Sequence, residues 1–379
     1  MATKKGIKMS NRTPRVLHVL DQLSPTSGVA SVVMNCITGI TTIEQDIAIY
    51  GKCDPNMKKT IESCGGKVYN LPDVTSSFGR HFRKAFIKVL QEQQYTTIHG
   101  HLLNSAFIYL RAAKQLGVPH RIIHAHSSVS SDGFAKRIRN NILAFGVPFW
   151  ANEYIAVSET AAKNIFGNML NKVPNISIIH NGIDSLRFCF NPDIRKEARQ
   201  ELGLSEEVLC IGHVGRFAGL KNHAFLLDVF NELQKKKNCV LVLVGDGPLE
   251  DSIKEKSRTM GLIEHVKFLG KRNAVERLYQ AFDIFMLPSL SEGLVLAAIE
   301  AQCAGLSCLV SENVPKTVAC GNNIYFLPLG NVALWADTAL EMPKQPRLDG
   351  SSSVNAARLN SEAMCDKIQN IYHSTIKKS

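Results

Sequence analysis

Short apolar runs alternate along this chain with longer stretches in which apolar residues recur every three or four positions. The short runs are typical of strands buried on both faces, and the longer stretches are typical of helices with one apolar face. In the first half, helices are predicted over 29–40 and 80–91. The predicted strands there are 16–20, 46–50, 97–101, 121–124, 154–157 and 176–180.

The same alternation restarts in the second half. Strands are predicted over 208–214, 240–244, 266–269, 284–287 and 308–311. Helices are predicted over 222–236, 249–260, 275–281, 295–304 and 361–371. The stretch 342–353 is rich in Pro, Ser and Gly and is predicted to be a loop. Strands that alternate with helices predict an α/β fold with parallel sheets.

The length of 379 residues exceeds what one ordinary core accommodates, so two domains are expected. The boundary is placed in the turn 181–184, which separates an N-terminal domain, 15–184, from a C-terminal domain, 185–360. Residues 1–14 are polar and basic, without the apolar core of a secretory signal, and are predicted to be a disordered lead-in.

Composition narrows the class of protein further. Hydrophobic residues make up 45% of the chain and charged residues 20%, and no apolar run reaches membrane-spanning length. Ten cysteines are scattered without C-x-x-C spacing, which is typical of reduced cysteines in a cytoplasmic protein. No Asp-x-Asp pair occurs. We therefore expect no bound metal and no cofactor.

The net charge of +11 is unevenly distributed. Residues 1–185 contain 21 Lys and Arg against 11 Asp and Glu, whereas the remainder contains 23 against 22. This asymmetry favours an anionic ligand or surface near the first half, although surface lysines that aid solubility explain it equally well.

A basic element follows the first strand of the second half. Gly215, Arg216 and Phe217 stand where that strand ends, and Lys221 is predicted to open the next helix. Ligands of open α/β sheets bind at the carboxyl ends of strands. Arg216 can chelate two phosphate oxygens and Lys221 adds a point charge. This pair predicts a site for a diphosphate.

An acidic element lies about 70 residues later. Glu292 precedes Gly293 and Leu294, and Glu300 follows eight positions after Glu292. Glu292 is predicted in a loop and Glu300 about two turns into the helix, so they would reach two parts of one extended ligand. Carboxylates suit vicinal hydroxyls, because they only accept hydrogen bonds. Main-chain N–H groups of Gly293 and Leu294 would face a phosphate. A nucleotide sugar fits both elements.

These residues resemble glycosyltransferase family 4, of the bacterial exopolysaccharide or capsule type. Glu292 to Glu300 is similar to the E-x7-E motif of retaining GT-B glycosyltransferases, and 214–223 resembles that family's phosphate-binding segment. The segments 179–184 and 244–249 resemble its interdomain linker and a second loop. The likeness covers nearly the whole chain, more strongly in the second half.

The resemblance implies a GT-B fold, in which two Rossmann-like domains with parallel sheets face a cleft, and a retaining, metal-independent hexosyltransferase. It implies that Arg216 and Lys221 bind the diphosphate, Glu300 the ribose and Glu292 the sugar. Gly28, in a loop that usually carries two glycines, would approach the donor, and His126 would lie near the transferred sugar. The C-terminal helix, 361–376, would pack back on the N-terminal domain.

The implied partners are a nucleotide-sugar donor, with UDP favoured, and a glycan or lipid-linked acceptor. The helix 80–91 has a basic polar side, so a peripheral contact with anionic membrane is a further expectation, although any helix that covers a sheet is amphipathic. Nucleic acid is not expected, because interleaved aromatic residues are missing. The alternatives are a nucleotide-sugar epimerase or glycan phosphorylase of GT-B architecture, and a non-catalytic basic scaffold protein.

Overall fold

The computed structural model describes residues 14–74, 76–103, 105–126, 147–167, 176–342 and 347–376. The predicted lead-in, 1–14, lies outside these ranges except for Pro14. The chain divides into two compact units, Met1–Ile178 with Cys365–Ser379, and Ile179–Met364. The division after Ile178 falls six residues before the boundary predicted from the sequence.

The first unit contains a seven-stranded parallel sheet. Its strands are β1 (Arg15–Leu20), β2 (Glu44–Ile49), β3 (Val68–Asn70), β4 (Thr97–Gly100), β5 (His120–Ala125), β6 (Glu153–Ala156) and β7 (Ile176–Ile178). Their order is β3-β2-β1-β4-β5-β6-β7, and every pair is parallel. The order reverses between β1 and β4, where ligands of doubly wound sheets bind.

Helices lie between these strands along the chain. The described ones are α1 (Gly28–Gly39), α2 (Pro55–Ser63), α3 (Arg80–Glu92), α4 (Ala106–Gln115), α5 (Val147–Trp150) and α6 (Glu159–Phe166). Ser27 caps α1 by accepting a hydrogen bond from the N–H of Ala30. Phe82 and Phe86 of α3 are completely buried in the core.

The second unit repeats the design with six parallel strands. They are β8 (Leu209–Val214), β9 (Cys239–Val244), β10 (Val266–Gly270), β11 (Ile284–Leu287), β12 (Ser307–Ser311) and β13 (Ile324–Leu327), in the order β10-β9-β8-β11-β12-β13. All of the pairs are parallel. The order reverses between β8 and β11, so these strands flank the switch point.

The remaining helices belong mostly to the second unit. They are α7 (Ser185–Phe188), α8 (Pro192–Glu201), α9 (His223–Gln234), α10 (Glu250–Thr259), α11 (Val275–Ala281), α12 (Leu296–Cys303), α13 (Val332–Glu341), α14 (Ser351–Ala356) and α15 (Ser361–Ile376). Helix α15 begins in the second unit, and its residues from Cys365 onward belong to the first. Within the described part of the chain, no helix combines the length and the apolar character needed to cross a bilayer.

The predicted α/β fold with parallel sheets is confirmed, and each predicted strand occurs with its ends within two residues. The loop predicted over 342–353 is wrong at its end, where α14 begins at Ser351. Only Val354 of α14 is fully buried, so the helix has too narrow an apolar face to produce a periodic signal. Strand β3 has three residues and β13 is only partly buried, and neither was predicted.

Candidate active site

The two loops that leave the switch point of the second sheet carry the basic and acidic elements. Strands β8 and β11 are hydrogen-bonded neighbours, and their carboxyl ends lead into the segments 215–222 and 288–295. The N–H of Leu290 donates to the carbonyl of Leu220 at 2.8 Å, which ties the loops together. Sheet topology therefore brings the two elements to one edge.

Lys221 and Glu292 meet directly at this edge. The ammonium nitrogen of Lys221 lies 2.5 Å from Oε1 of Glu292, and the two side chains are 19% and 15% exposed. Partial burial reduces screening, so the pair interacts more strongly than an ordinary surface ion pair. The predicted convergence of a cation and an acid is present for these two residues.

The loop that carries Lys221 is shaped by close main-chain approaches. A Cβ on Gly215 would lie 2.9 Å from the ring of His213 and 3.4 Å from Cδ of Lys221, so glycine leaves room for the lysine stem. Gly245 has φ +144°, and a Cβ there would lie 2.0 Å from the carbonyl oxygen of Gly215. The turn after β9, part of the segment 244–249 that resembles the family, therefore supports the basic loop.

The position of Lys221 differs slightly from the prediction. Lys221 ends a 3-10 turn, Gly219–Lys221, and Asn222 with φ 54° precedes α9. The lysine therefore stands before the helix rather than opening it, because the left-handed residue interrupts the helical backbone. Arg216 is exposed, and its side chain has no hydrogen bond or ion pair with a described residue.

Two main-chain donors just before α12 are unused by the described residues. The helix begins at Leu296, and its N-cap, Val295, makes no side-chain cap. Among the described residues none accepts a hydrogen bond from the main-chain N–H of Gly293 or Leu294. Unpaired N–H groups attract anions, and the positive end of the helix dipole begins next to this segment, so the segment and the nearby cation suit a phosphate.

Glu300 occupies a different environment from Glu292. Glu292 stands in the loop, as predicted, and Glu300 is the fifth residue of α12, about one turn in rather than two. The hydroxyl of Tyr279 donates to Oε2 of Glu300 at 2.8 Å. Burial raises the pKa of Glu300 to about 7, and the hydrogen bond from Tyr279 and the charge of Arg187 partly oppose this rise. Sequence reasoning missed Tyr279, which looks like an ordinary apolar position of α11.

The two candidate residues of the first unit lie after different strands, Gly28 after β1 and His126 after β5. Gly28 is the first residue of α1, and apart from its chain neighbours and its own helix backbone no described atom would lie within 4 Å of a Cβ placed there. His126 follows β5 and accepts or donates a hydrogen bond at Nε2, 2.7 Å from Nδ1 of His101. The neighbouring histidines His101 and His124 are also buried in the first unit.

Comparison with known proteins identifies the chain. The family model for glycosyl transferases group 1 matches residues 194–349, and that for glycosyltransferase family 4 matches 28–187. The glycosyltransferase named EpsF of Bacillus subtilis is 32% identical over 342 residues, which is 87% of this chain and 88% of that protein. The chain belongs to glycosyltransferase family 4. Its sequence resemblance to that family is thereby confirmed, and the chain is a hexosyltransferase, for which a retaining mechanism fits the family.

The chain is also similar to a second curated protein and to solved structures. The UDP-Gal:alpha-D-GlcNAc-diphosphoundecaprenol alpha-1,3-galactosyltransferase of Escherichia coli is 32% identical over 239 residues, 59% of this chain and 60% of that protein. Crystal structures of Anabaena Alr3699/HepE match with TM-scores of 0.77, for the complex with UDP and glucose, and 0.79, for that with UDP-glucose. They are 19% and 17% identical, and both cover 95% of this chain and at least 99% of theirs. These likenesses show the GT-B fold.

Proposed function

We propose that this family 4 enzyme moves a sugar from a nucleoside diphosphate sugar, with UDP favoured, to a glycan or lipid-linked acceptor, with retention of configuration, in exopolysaccharide or capsule synthesis. The observation that carries the proposal is the meeting of Lys221 and Glu292. The cation and the carboxylate face each other beside two main-chain N–H groups that no described residue accepts from. They can therefore exchange their mutual contact for a phosphate and a sugar hydroxyl.

The diphosphate is the group that Lys221 and Arg216 would bind. Arg216 is exposed and unpaired among the described residues, so it can turn toward the ligand without breaking an ion pair. The N–H groups of Gly293 and Leu294 would add neutral donors to the same oxygens. Breaking the Lys221–Glu292 pair would be offset by the stronger attraction of the lysine to a doubly charged group.

The two glutamates would hold the hydroxyl-rich ends of the donor. Once Lys221 turns to the phosphate, Glu292 is free to accept hydrogen bonds from the sugar. Glu300, held by Tyr279, would accept hydrogen bonds from the ribose hydroxyls. Hydroxyl donors favour the ionised carboxylate, so nucleotide binding would lower the pKa of Glu300 from about 7.

Sugar transfer would then proceed on the front face of the donor. The bond between the anomeric carbon and the diphosphate oxygen breaks, and its electron pair leaves with the diphosphate. The acceptor hydroxyl bonds to the same face, and its proton passes to the departing phosphate oxygen. Lys221 and Arg216 would neutralise the charge that develops on the leaving group, the task that a divalent cation performs in other enzymes.

The choice of nucleotide and acceptor rests on what relatives bind. Alr3699/HepE is described in complex with UDP and with UDP-glucose, and the E. coli relative is named for UDP-Gal and a diphosphoundecaprenol acceptor. A capsular polysaccharide biosynthesis glycosyltransferase of Staphylococcus aureus, CapH, is 26% identical over 60% of this chain. These names support a UDP-sugar and a lipid-linked or polysaccharide acceptor.

A lipid-linked acceptor would require contact with a membrane, and α3 is the element proposed for it. Its apolar residues face the core, whereas its basic residues are exposed: Arg80, Arg83, Lys84 and Lys88. Exposed cations on one helix face attract anionic lipid headgroups. We propose peripheral binding at the inner face of the cell membrane through this surface.

A screen of nucleotide sugars tests the proposed reaction. UDP-, GDP- and ADP-sugars are incubated with the enzyme and a lipid-linked acceptor, and the products are identified by mass and by the configuration of the new linkage. A linkage that retains the donor's configuration, formed from a UDP-sugar, is the expected result. Conversion of the donor to its epimer with no transfer would instead establish the epimerase alternative.

A further inference from the structure

Four polar side chains in the first unit form one continuous hydrogen-bonded chain. Oε1 of Gln45 lies 3.0 Å from Nε2 of His18, and Nδ1 of His18 lies 3.0 Å from Nε2 of His101. Nδ1 of His101 in turn lies 2.7 Å from Nε2 of His126. Each histidine between the ends uses both of its ring nitrogens, so the protonation of one constrains the protonation of the next.

Gln45 sets the direction of this chain. Its amide nitrogen donates to two main-chain carbonyls, those of Cys36 at 2.8 Å and Ile40 at 3.0 Å. A carbonyl oxygen can only accept, so the amide orientation is determined and Oε1 must face His18. Because Oε1 is also only an acceptor, the Nε2 of His18 must carry the proton.

The remaining tautomers follow step by step for neutral rings. A proton on Nε2 of His18 leaves its Nδ1 as an acceptor, so His101 must donate from Nε2. The Nδ1 of His101 is then an acceptor, and His126 must donate from its own Nε2. His126 is left with a lone pair on Nδ1, and that atom is buried without a hydrogen-bond partner among the residues that the structure describes.

The surroundings of the three rings keep them neutral. Burial lowers the pKa of His18 to about 4 and that of His126 to about 3. Burial, and after it the neighbouring histidines His99, His126, His18 and His124, lower the pKa of His101 well below its usual range. At neutral pH each ring therefore has one donor and one acceptor.

We propose that Gln45, His18 and His101 are positioning residues that hold His126 in the Nε2–H tautomer, so that its Nδ1 accepts a hydrogen bond from a hydroxyl group of the carbohydrate substrate. The proposal rests on the proposed function for the identity of that hydroxyl, but the tautomer itself does not depend on it. An unpaired buried acceptor is unfavourable, and a substrate hydroxyl would satisfy it.

A metal ion is the other use to which this cluster could be put. Nitrogen atoms of His101, His124 and His126 lie within 4.8 Å of one another, as do those of His18, His99 and His101. The hydrogen-bond distances of 2.7 and 3.0 Å favour the relay, because a metal would need lone pairs that here face N–H groups. Metal binding is therefore an outcome that the test must detect.

Long-range ¹H–¹⁵N correlation spectra of the full chain, labelled at histidine, distinguish the two tautomers directly. His18, His101 and His126 are expected to show Nε2–H. His213 provides an internal reference of the opposite kind, because its Nδ1 faces the carbonyl of Met286 at 2.8 Å and must donate. The wild-type spectrum is decisive by itself: an Nδ1–H or doubly protonated His126, or ring signals that change when EDTA is added, would overturn the proposal.

Gln45→Met tests the origin of the tautomer, since it removes the acceptor and keeps an unbranched side chain. A second, Nδ1–H signal is expected at His126, and kcat is expected to fall about tenfold, the worth of one ordinary hydrogen bond, with nucleotide affinity unchanged. Ile47→Val, at a buried position of β2, the strand that contains Gln45, should change neither the His126 tautomer nor kcat. An unchanged kcat in Gln45→Met with a shifted tautomer would refute the positioning role, whereas the product screen tests the transferase reaction separately.

Discussion

The ammonium of Lys221 lies 2.5 Å from a carboxylate oxygen of Glu292, although 71 positions separate the two residues. Each group neutralises the other at the switch point of the second sheet. The pair therefore holds both side chains in place, and in the proposed reaction it would open when an anion and a hydroxyl replace the two partners.

Replacing Lys221 by alanine tests its role at the diphosphate. Lys221→Ala is expected to lower kcat by about 10²–10³-fold, since one charged stabiliser of the leaving group is lost. Thermal unfolding should show a folded protein, because the side chain is only partly buried. Lys235→Ala, which removes an exposed lysine just after α9, is the matched control and should leave the rate unchanged. Turnover near the wild-type value in Lys221→Ala would exclude the assigned role.

Tyr279→Phe removes the hydroxyl that supports Glu300. The hydrogen bond favours the ionised carboxylate, so the pKa of Glu300 should rise further above about 7. Affinity for UDP, measured by titration calorimetry between pH 6 and 9, should fall at pH 7 and recover toward pH 9. Tyr325→Phe, on the partly buried strand β13, is the control. A pH dependence identical to that of the wild type would show that Glu300 does not contact the nucleotide.

Glu300→Gln tests the cost of the buried carboxylate. The pKa of Glu300 is raised in the folded protein from 4.5 to about 7, so the folded state binds its proton more tightly than the unfolded state. The resulting stability is present below about pH 4.5 and is lost as the pH rises through 7. The variant should therefore be more stable than the wild type at pH 8, by about 1–2 kcal/mol after allowance for partial exposure, and nearly equal at pH 5. Denaturant titrations at both pH values measure this; a difference independent of pH would contradict it.

Metal independence is a prediction about the same leaving group. If Lys221 and Arg216 neutralise the diphosphate, transfer measured with excess EDTA should proceed at the rate measured with Mg²⁺ or Mn²⁺. The Lys221→Ala variant is the informative comparison, because added metal could replace the missing charge there. Loss of wild-type activity in EDTA, with recovery on adding a divalent cation, would show that side-chain cations do not suffice.

The basic surface of α3 predicts binding to anionic vesicles. Wild-type enzyme should sediment with vesicles that contain phosphatidylglycerol at low salt, and much less at high salt. Added salt shortens the Debye length and so screens the attraction between the basic side chains and the anionic headgroups. A variant with Arg80, Lys84 and Lys88 changed to Gln should bind several-fold less. Replacing Lys254, Lys256 and Arg258 of α10 with Gln removes as many cations from the other unit and is the control. Equal, weak binding to anionic and neutral vesicles would end this proposal.

Much of the architecture was predictable because its signals are local. A run such as that of β8 is apolar and bounded by turn residues, and the eight-residue spacing of Glu292 and Glu300 lies within one loop and one helix. Short elements, or those with a narrow apolar face, were not predicted. An example is α14, whose single fully buried residue is covered by neighbours far along the chain. Periodicity reports an element only when that element by itself has a wide apolar face.

The pairing of side chains from different strands needed the folded chain. No spacing in the sequence indicates that Lys221 meets Glu292, that Tyr279 supports Glu300, or that His18 and His101 connect Gln45 to His126. These contacts arise because parallel strands distant in sequence end at a common edge, and strand order is a property of the whole sheet. The amino-acid order thus specified the elements and the types of chemical group, while their geometry, and with it the charge state of Glu300, came from long-range packing.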